Sequence, residues 1–282
     1  MKVLVTGASG FIGRPLVKRL VAQRHQVVAT YFRGTPPACW RAYRWDLRQA
    51  HDPAMLSEVE VVIHAAHDLR AGEAELVQGL HQFHRAVQQR GIRQVFLSSL
   101  SASESSPSPY GRQKYELEKN LMAADPGISI VRPGLVIGPG GVFGRLKLTL
   151  QRWPLFPLID RGSSLVSFIG LDDLLMALEQ LVCGRVPPGE YNLFSDRRVP
   201  FAEMLKEMAQ INGWRRVFLN VPSSLILMGI RLAEQLRLPL PVRRENVTGL
   251  RQNSNHPYQP NLVNFGLPER SFVECYRSNF PS

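Results

Sequence analysis

Met1-Lys2-Val3-Leu4-Val5-Thr6-Gly7-Ala8-Ser9-Gly10-Phe11-Ile12-Gly13 is the stretch on which the fold turns. Lys2 to Val5 is a short apolar run of the kind that forms a strand buried on both faces. Gly7, Gly10 and Gly13 follow, and Pro15 to Val21 then carries a helical period. Strand, glycine turn and helix in that order suit the pyrophosphate of a dinucleotide. Gly7 can take a backbone conformation that other residues resist, Gly10 lets the main chain approach the phosphates, and Gly13 lets helix and strand pack closely. Unpaired N–H groups at the helix start face the anion. The turn therefore offers Gly7, Ser9, Gly10, Phe11, Ile12 and Gly13 as cofactor contacts. A bare glycine triplet is as readily an ordinary turn; its place between a strand and a helix is what gives it meaning.

Outward from this turn, strands are expected at Gln26–Thr30, Tyr43–Leu47, Val59–Ala66, Gln94–Leu97 and Ile128–Arg132, with helices over 73–90 and Tyr110–Leu121. The alternation predicts an α/β fold, a Rossmann-type doubly wound parallel sheet over residues 1–139. Tyr191–Phe194 would return to complete that sheet. Residues 140–282 would form most of a small mixed substrate lobe, with helices at Val142–Gln151, Leu174–Val182 and Pro200–Asn212. The second strand ends in Tyr31-Phe32-Arg33, without the acid that usually binds the adenosine ribose of NAD. Arg33 would instead meet a 2′-phosphate, a slight lean toward NADP; a surface arginine with no ligand role is the alternative.

The 282 residues are 44% apolar and carry a formal charge of +11, which admits nucleic acid, an anionic membrane or phosphorylated ligands as partners. The cations are scattered and no nucleic-acid-binding signature accompanies them, so no nucleic-acid partner is expected. Ser223–Leu238 is strongly apolar and precedes Arg243-Arg244, which leaves membrane contact open, although burial in the lobe explains it more simply. His64 and His67 lack a third ligand, and no metal is expected. His81 and His84 are expected on a solvated helix face. An odd cysteine count and the lack of a signal peptide point to a reducing, cytoplasmic setting.

The second informative stretch is Tyr110-Gly-Arg-Gln-Lys114. On a helix these two side chains share a face. A phenol of ordinary pKa is a poor base; lowering it to about 7 takes roughly 4 kcal/mol, which a nearby Lys⁺ and an oxidised nicotinamide would help supply. Lys114 could also hold the nicotinamide ribose. A hydroxyl from Ser98–Ser101 would polarise a substrate carbonyl. A surface Tyr/Lys pair is the plain alternative.

With Thr6 in front of the glycines, Val62-Ile-His-Ala-Ala66, Ser98-Ser99, Tyr110-x-x-x-Lys114, Arg132-Pro133-Gly-Leu-Val-Ile-Gly-Pro-Gly140 and Phe168-Ile-Gly-Leu-Asp-Asp173, the chain resembles the short-chain dehydrogenase/reductase superfamily. The branch is the extended or atypical one, the NAD-dependent epimerase/dehydratase family. The resemblance implies Ser99 as the catalytic hydroxyl beside Tyr110 and Lys114, with Ser98 or Ser101 as substitutes. It implies Asp46 and Leu47 near the adenine, and Ala65, Ala66, Lys114 and Pro133 along the cofactor. It departs from the family at Leu76, where relatives place an asparagine, and in the short Ser99–Tyr110 separation.

The expected function is an NAD(P)-dependent oxidoreductase or epimerase. Its substrate would be a small molecule, a nucleotide-linked sugar or a similar hydroxyl or carbonyl compound, with Arg132, Arg145 and Lys147 as candidate contacts. The alternative is a cofactor-binding sensor or assembly factor without turnover. Association into a homodimer is left open.

Overall fold

Side chains alternate across the first strand, β1 (Lys2–Thr6), and set the layering: Val3 and Val5 enter one core, Leu4 another. The computed structural model describes residues 1–67, 73–222 and 258–280, with the backbone alone for 73–77. The side chain of Leu76, the stretch Ser223–Leu238 and the Arg243–Arg244 pair lie outside the described residues.

After β1 come α1 (Gly13–Ala22), β2 (Gln26–Tyr31), β3 (Arg41–Arg44), β4 (Val61–His64), α2 (Glu73–Gln88), β5 (Arg93–Leu97), α3 (Pro109–Ala124) and β6 (Ser129–Pro133). The chain continues through β7 (Leu135–Ile137), α4 (Gly141–Arg152), β8 (Leu155–Ile159), β9 (Leu165–Val166), β10 (Phe168–Gly170) and α5 (Leu171–Val182). It ends with β11 (Glu190–Leu193), β12 (Val199–Pro200), α6 (Phe201–Ile211), β13 (Val217–Val221) and α7 (Phe272–Asn279).

Seven strands form one parallel sheet in the order β11-β6-β5-β4-β1-β2-β3. The order reverses between β1 and β4, which opens a crevice at their C-terminal ends. β11 pairs with β6, Tyr191 opposite Val131, so the expected return to the sheet is observed. Leu16, Val17 and Leu20 of α1 and Leu174, Leu178 and Leu181 of α5 cover one face. Leu80, Phe83 and Val87 of α2 and Leu117 and Leu121 of α3 cover the other. Each such aliphatic side chain contributes about 1.5–3 kcal/mol by leaving water.

A third core lies in the lobe. Phe143 and Leu150 of α4, Met204, Leu205 and Met208 of α6, and Phe272, Cys275 and Tyr276 of α7 meet there. Cys39, Cys183 and Cys275 are all free thiols. Among the described residues no helix is long and apolar enough to cross a membrane. Nor does any cluster of His, Cys, Asp and Glu among them suit a metal ion.

One expectation fails on α2. His84 is not solvated: it is 3% exposed and stacks on His64, ring centroids 4.0 Å apart. Leu80, Phe83, His84 and Val87 stand at helical spacing on the face turned to the sheet, and His84 is carried in with its neighbours. Gln94 holds His64, its Oε1 3.1 Å from His64 Nε2. Burial drives the His64 pKa down to about 3, so this ring is neutral.

Candidate functional site

Thr6, the last residue of β1, ties the two strand ends of the crevice together. Its Oγ1 accepts the backbone N–H groups of Ala65 and Ala66, each at 3.1 Å. Gly7 follows with φ +67°, and a Cβ there would lie 2.7 Å from the Ala66 Cα. A Cβ on Gly13 would sit 2.2 Å from the Gly7 carbonyl oxygen, so α1 starts directly against the turn. Gly10 differs: a Cβ there would meet only the Gly7 oxygen, at 3.1 Å, and its other side is open.

A groove of about 250 Å³ runs from this turn across the ends of β1, β2 and β4. Of the residues expected at a cofactor, Gly7, Ser9, Gly10, Arg33, Asp46, Leu47, Ala65 and Ala66 line it. Bare turn backbone, small Ala65 and Ala66 and a far end carrying Asp46 and Arg33 fit a dinucleotide. Five expected residues stand outside the lining, Lys114 among them. Phe11 packs against the loop into α4, where a Cβ on Gly140 would lie 2.5 Å from its ring. Ile12 caps α1 and packs on the core, Gly13 is covered by the turn, and Pro133 is buried at the end of β6.

At the far end Arg48 grips the Asp46 carboxylate, Nη2 to Oδ2 at 2.6 Å and Nε to Oδ1 at 3.0 Å. The Arg48 guanidinium holds the Asp46 carboxyl below the usual carboxylate range. The Arg33 guanidinium lies 5.3 Å from the Phe32 ring centroid.

α3 presents the second group of residues. Ser108 caps it, its side chain accepting the Gly111 N–H at 3.0 Å, and Pro109 takes the first turn. The cap sets where Tyr110 points. The Ser99 side chain acts on the phenol, and its Oγ lies 2.9 Å from Ser101 Oγ and also accepts the Ser101 N–H at 3.2 Å. Burial pushes the Tyr110 pKa up to about 12, against the Ser99 side chain, which acts to lower it. Ser98 is buried, and its hydroxyl has no partner among the described residues.

Lys114, one turn on, is turned toward the end of β5: its Nζ donates to the Leu97 carbonyl at 2.7 Å and lies 4.5 Å from the Phe96 ring centroid. It stands 6.0 Å from the centre of the Tyr110 ring. Burial lowers its pKa to about 7, with Glu118 acting in the opposite sense. In this arrangement the easing of the phenol expected from Lys114 is not expressed.

The sign of a pH effect follows. A lysine whose folded pKa is depressed costs stability below that pKa, and the cost fades as pH rises toward the unfolded value. A Lys114→Met variant should therefore exceed wild type by a few kcal/mol at about pH 6, the gap narrowing to about 2 kcal/mol by about pH 9 and closing only near the unfolded lysine value of about 10.4. Urea denaturation at the two pH values checks this; a pH-independent difference would rule out a neutralised Lys114.

His67 joins the two groups. It lines the groove and meets Tyr110 edge-on, ring centroids 4.8 Å apart. Both its ring nitrogens are buried without a partner among the described residues, and burial takes its pKa to about 3. Tyr110, Lys114 and Ser99 do not line the groove themselves; of the three, Tyr110 meets it through this ring.

Two of the residues expected at substrate are elsewhere. Arg132 is buried, its Nε 3.0 Å from both Glu118 oxygens and its Nη2 2.7 Å from Glu190. It locks α3 to β6 and β11 and has no free face for a phosphate. Lys147 lies over the Phe280 ring at 4.0 Å, against α7 and its following residue. Arg145 is exposed on α4.

Sequence reasoning missed His67 as a groove residue, although its place directly after Ala66 at a strand end was a usable signal. It also missed Trp45 and Arg48 in the lining, and Tyr258, whose hydroxyl donates to the Ala102 carbonyl at 3.0 Å. No local pattern announces that last contact.

Known proteins agree with this geometry. The "Ceramide reductase" of Caulobacter vibrioides (strain NA1000 / CB15N) is 29% identical over 240 residues, 80% of this chain and 75% of that protein. The "NADH dehydrogenase [ubiquinone] 1 alpha subcomplex subunit 9, mitochondrial" of Dictyostelium discoideum is 29% identical over 169 residues, 54% of this chain and 48% of that protein. The solved structure of MoeE5 in complex with UDP-glucuronic acid and NAD superposes with a TM-score of 0.67 at 26% identity, over 79% of this chain and 86% of that one. Residues 3–178, from β1 into α5 and so through both the glycine turn and the Tyr110 helix, match the family's own pattern, and the chain belongs to the NAD dependent epimerase/dehydratase family.

Proposed function

We propose that the protein is an NAD(P)-dependent oxidoreductase or epimerase acting on a substrate hydroxyl or carbonyl, with residues 1–139 and β11 binding the cofactor and most of 140–282 receiving the substrate. The observation that carries this reading is the Tyr110 ring on α3, set edge-on to His67 where the groove ends, with the Ser99 side chain acting to lower the phenol pKa. The turn at Gly7, Ser9 and Gly10 would hold the pyrophosphate, Asp46 and Leu47 the adenosine end, and Ala65 and Ala66 the inner wall. When bound, the nicotinamide supplies or accepts the hydride. Ser99 would hold the substrate oxygen, and Tyr110 would pass a proton to it or take one from it.

A phenol with a pKa of about 12 is protonated at physiological pH, which suits Tyr110 to donate a proton in a reductive step. A reductase among the relatives supports the same direction. Substrate class has support from two sides: the MoeE5 structure is named with UDP-glucuronic acid, the Caulobacter protein for ceramide. The test is a screen of purified protein with NADH and with NADPH against UDP-hexoses, ceramide and small ketones, following nicotinamide absorbance. Binding of cofactor without turnover across the panel overturns the reading.

That outcome is the second reading, a cofactor-binding subunit. The observation favouring it is the Lys114 ammonium, tied to the Leu97 carbonyl instead of the phenol. The match to a protein named as an NADH dehydrogenase subunit points the same way.

For cofactor choice, the lean toward NADP rests on Arg33 in the groove lining, while the family description and the MoeE5 complex both name NAD. If Arg33 meets a 2′-phosphate, Arg33→Ala should weaken NADPH binding by roughly tenfold, the loss of one charged hydrogen-bonded contact, and leave NADH unchanged. Fluorescence titration of both nucleotides reads this, and an unchanged affinity ratio removes the argument.

A further inference from the structure

β8 and β13 form a parallel two-stranded ribbon in the lobe, with Val217 opposite Leu155, Phe218 opposite Phe156 and Leu219 opposite Pro157. Side chains alternate across such a ribbon. One set turns inward: Phe156 and Leu158 belong to the lobe core and Phe218 packs on it. A ribbon whose other face met only water would carry polar residues there. Here that face is Leu155, Pro157, Val217 and Leu219, with Leu155 and Val217 each 54% exposed and Leu219 48%. Trp153, two residues before Leu155 on extended backbone, is 59% exposed.

Along the two segments that carry this ribbon the charge has one sign, and the nearest acid in the sequence, Asp160, stands at the far end of β8. Neither Gly141–Ile159 nor Asn212–Pro222 contains an aspartate or glutamate. Arg152 and Arg215 are exposed at the start of the two strands. Arg216 donates to the Gln151 carbonyl at 2.6 Å, which holds the end of α4 against the start of β13. An open depression of about 630 Å³ beside it is lined by Trp214 and Ala209 and bordered by Lys206, Arg215 and Arg216.

We propose that this face is a docking surface for an anionic lipid bilayer. An exposed tryptophan, a row of aliphatic side chains and arginines at the start of both strands complement a surface that is apolar inside and negative at its headgroups. Contiguous exposed apolar side chains rimmed by charge mark an interaction site. Nucleic acid is a poorer match, since single strands are held by aromatic stacking platforms and not by Leu, Val and Pro. The proposal is independent of Tyr110 chemistry and of Ser223–Leu238, and it gives the excess of positive charge a local use.

The test is flotation of the full-length protein with vesicles of mixed phosphatidylglycerol and phosphatidylcholine, and with phosphatidylcholine alone, at low and high salt. Wild type should float with the anionic vesicles at low salt and lose much of that binding at high salt. Removing two charges, Arg152→Gln with Arg215→Gln, should lower partitioning by roughly 10–30-fold. Leu155→Gln with Leu219→Gln should lower it by a comparable factor. All four positions are exposed, so thermal stability and cofactor binding should stay at wild-type values, which separates this result from any failure of the catalytic reading. Absence of wild-type flotation overturns the proposal, as does equal binding to neutral vesicles or undiminished flotation of both double variants. Self-association that the Leu155/Leu219 variant abolishes, or RNA retention in place of flotation, would assign the face to another partner and overturn it equally.

Discussion

Tyr110→Phe should lower kcat by roughly 10²–10⁴-fold on whatever substrate the protein turns over, the usual contribution of a positioned acid or base. Phenylalanine keeps the ring that meets His67 edge-on and removes only the hydroxyl. Cofactor affinity should change little, because the groove is lined by Gly7, Gly10, Asp46 and their neighbours and not by Tyr110. Paired kcat measurements and nucleotide titrations separate the two effects. A variant with undiminished turnover would remove Tyr110 from the chemistry; a variant that lost cofactor binding as well would make its role structural.

The largest effect on stability should come from the buried ion pair under α3. Arg132→Met leaves Glu118, only 2% exposed at its side chain, without its counter-ion. Removing one partner of such a pair costs about 3–5 kcal/mol, because the remaining charge stays buried and unpaired. At a few degrees per kcal/mol, Tm should fall by roughly 10 °C. Glu190 contacts the same guanidinium with a half-exposed side chain, and Glu190→Gln should cost about 1 kcal/mol or less. Replacing both buried partners, Glu118→Met with Arg132→Leu, should recover most of the loss. Calorimetry on the three variants tests the ordering; a Glu190 variant as damaged as the Arg132 variant would refute it.

The features that could be read from sequence are those coded by spacing along one element. The strand, glycine turn and helix at the N-terminus, the Tyr110–Lys114 face of α3 and the return of β11 to the sheet all follow from local period and turn chemistry. Errors arose where a partner lies far along the chain. Arg132 looked like a free cation until Glu118 and Glu190, 14 and 58 residues away, closed on it. His84 looked solvated because histidine is polar, yet its place at helical spacing among Leu80, Phe83 and Val87 set its direction. The apolar face of the β8–β13 ribbon was invisible for the same reason, since the two strands are joined only by tertiary pairing.

The outermost position of β11 has a consequence for synthesis. The six strands up to Pro133 are complete before the lobe begins, but the edge beside β6 stays open until residues 190–193 have left the ribosome. Asn192 is then stitched on its far side to Asn261, N–H to Oδ1 at 2.8 Å and carbonyl to N–H at 2.9 Å. A nascent chain halted near residue 139 therefore shows a bare parallel edge and an arginine deprived of one carboxylate, a template for pairing with other chains. Parallel closure across such sequence distances is slow. The seven-stranded sheet thus closes late, after the intervening segment of the chain has been made, and a chaperone would meet it with its edge strand uncovered.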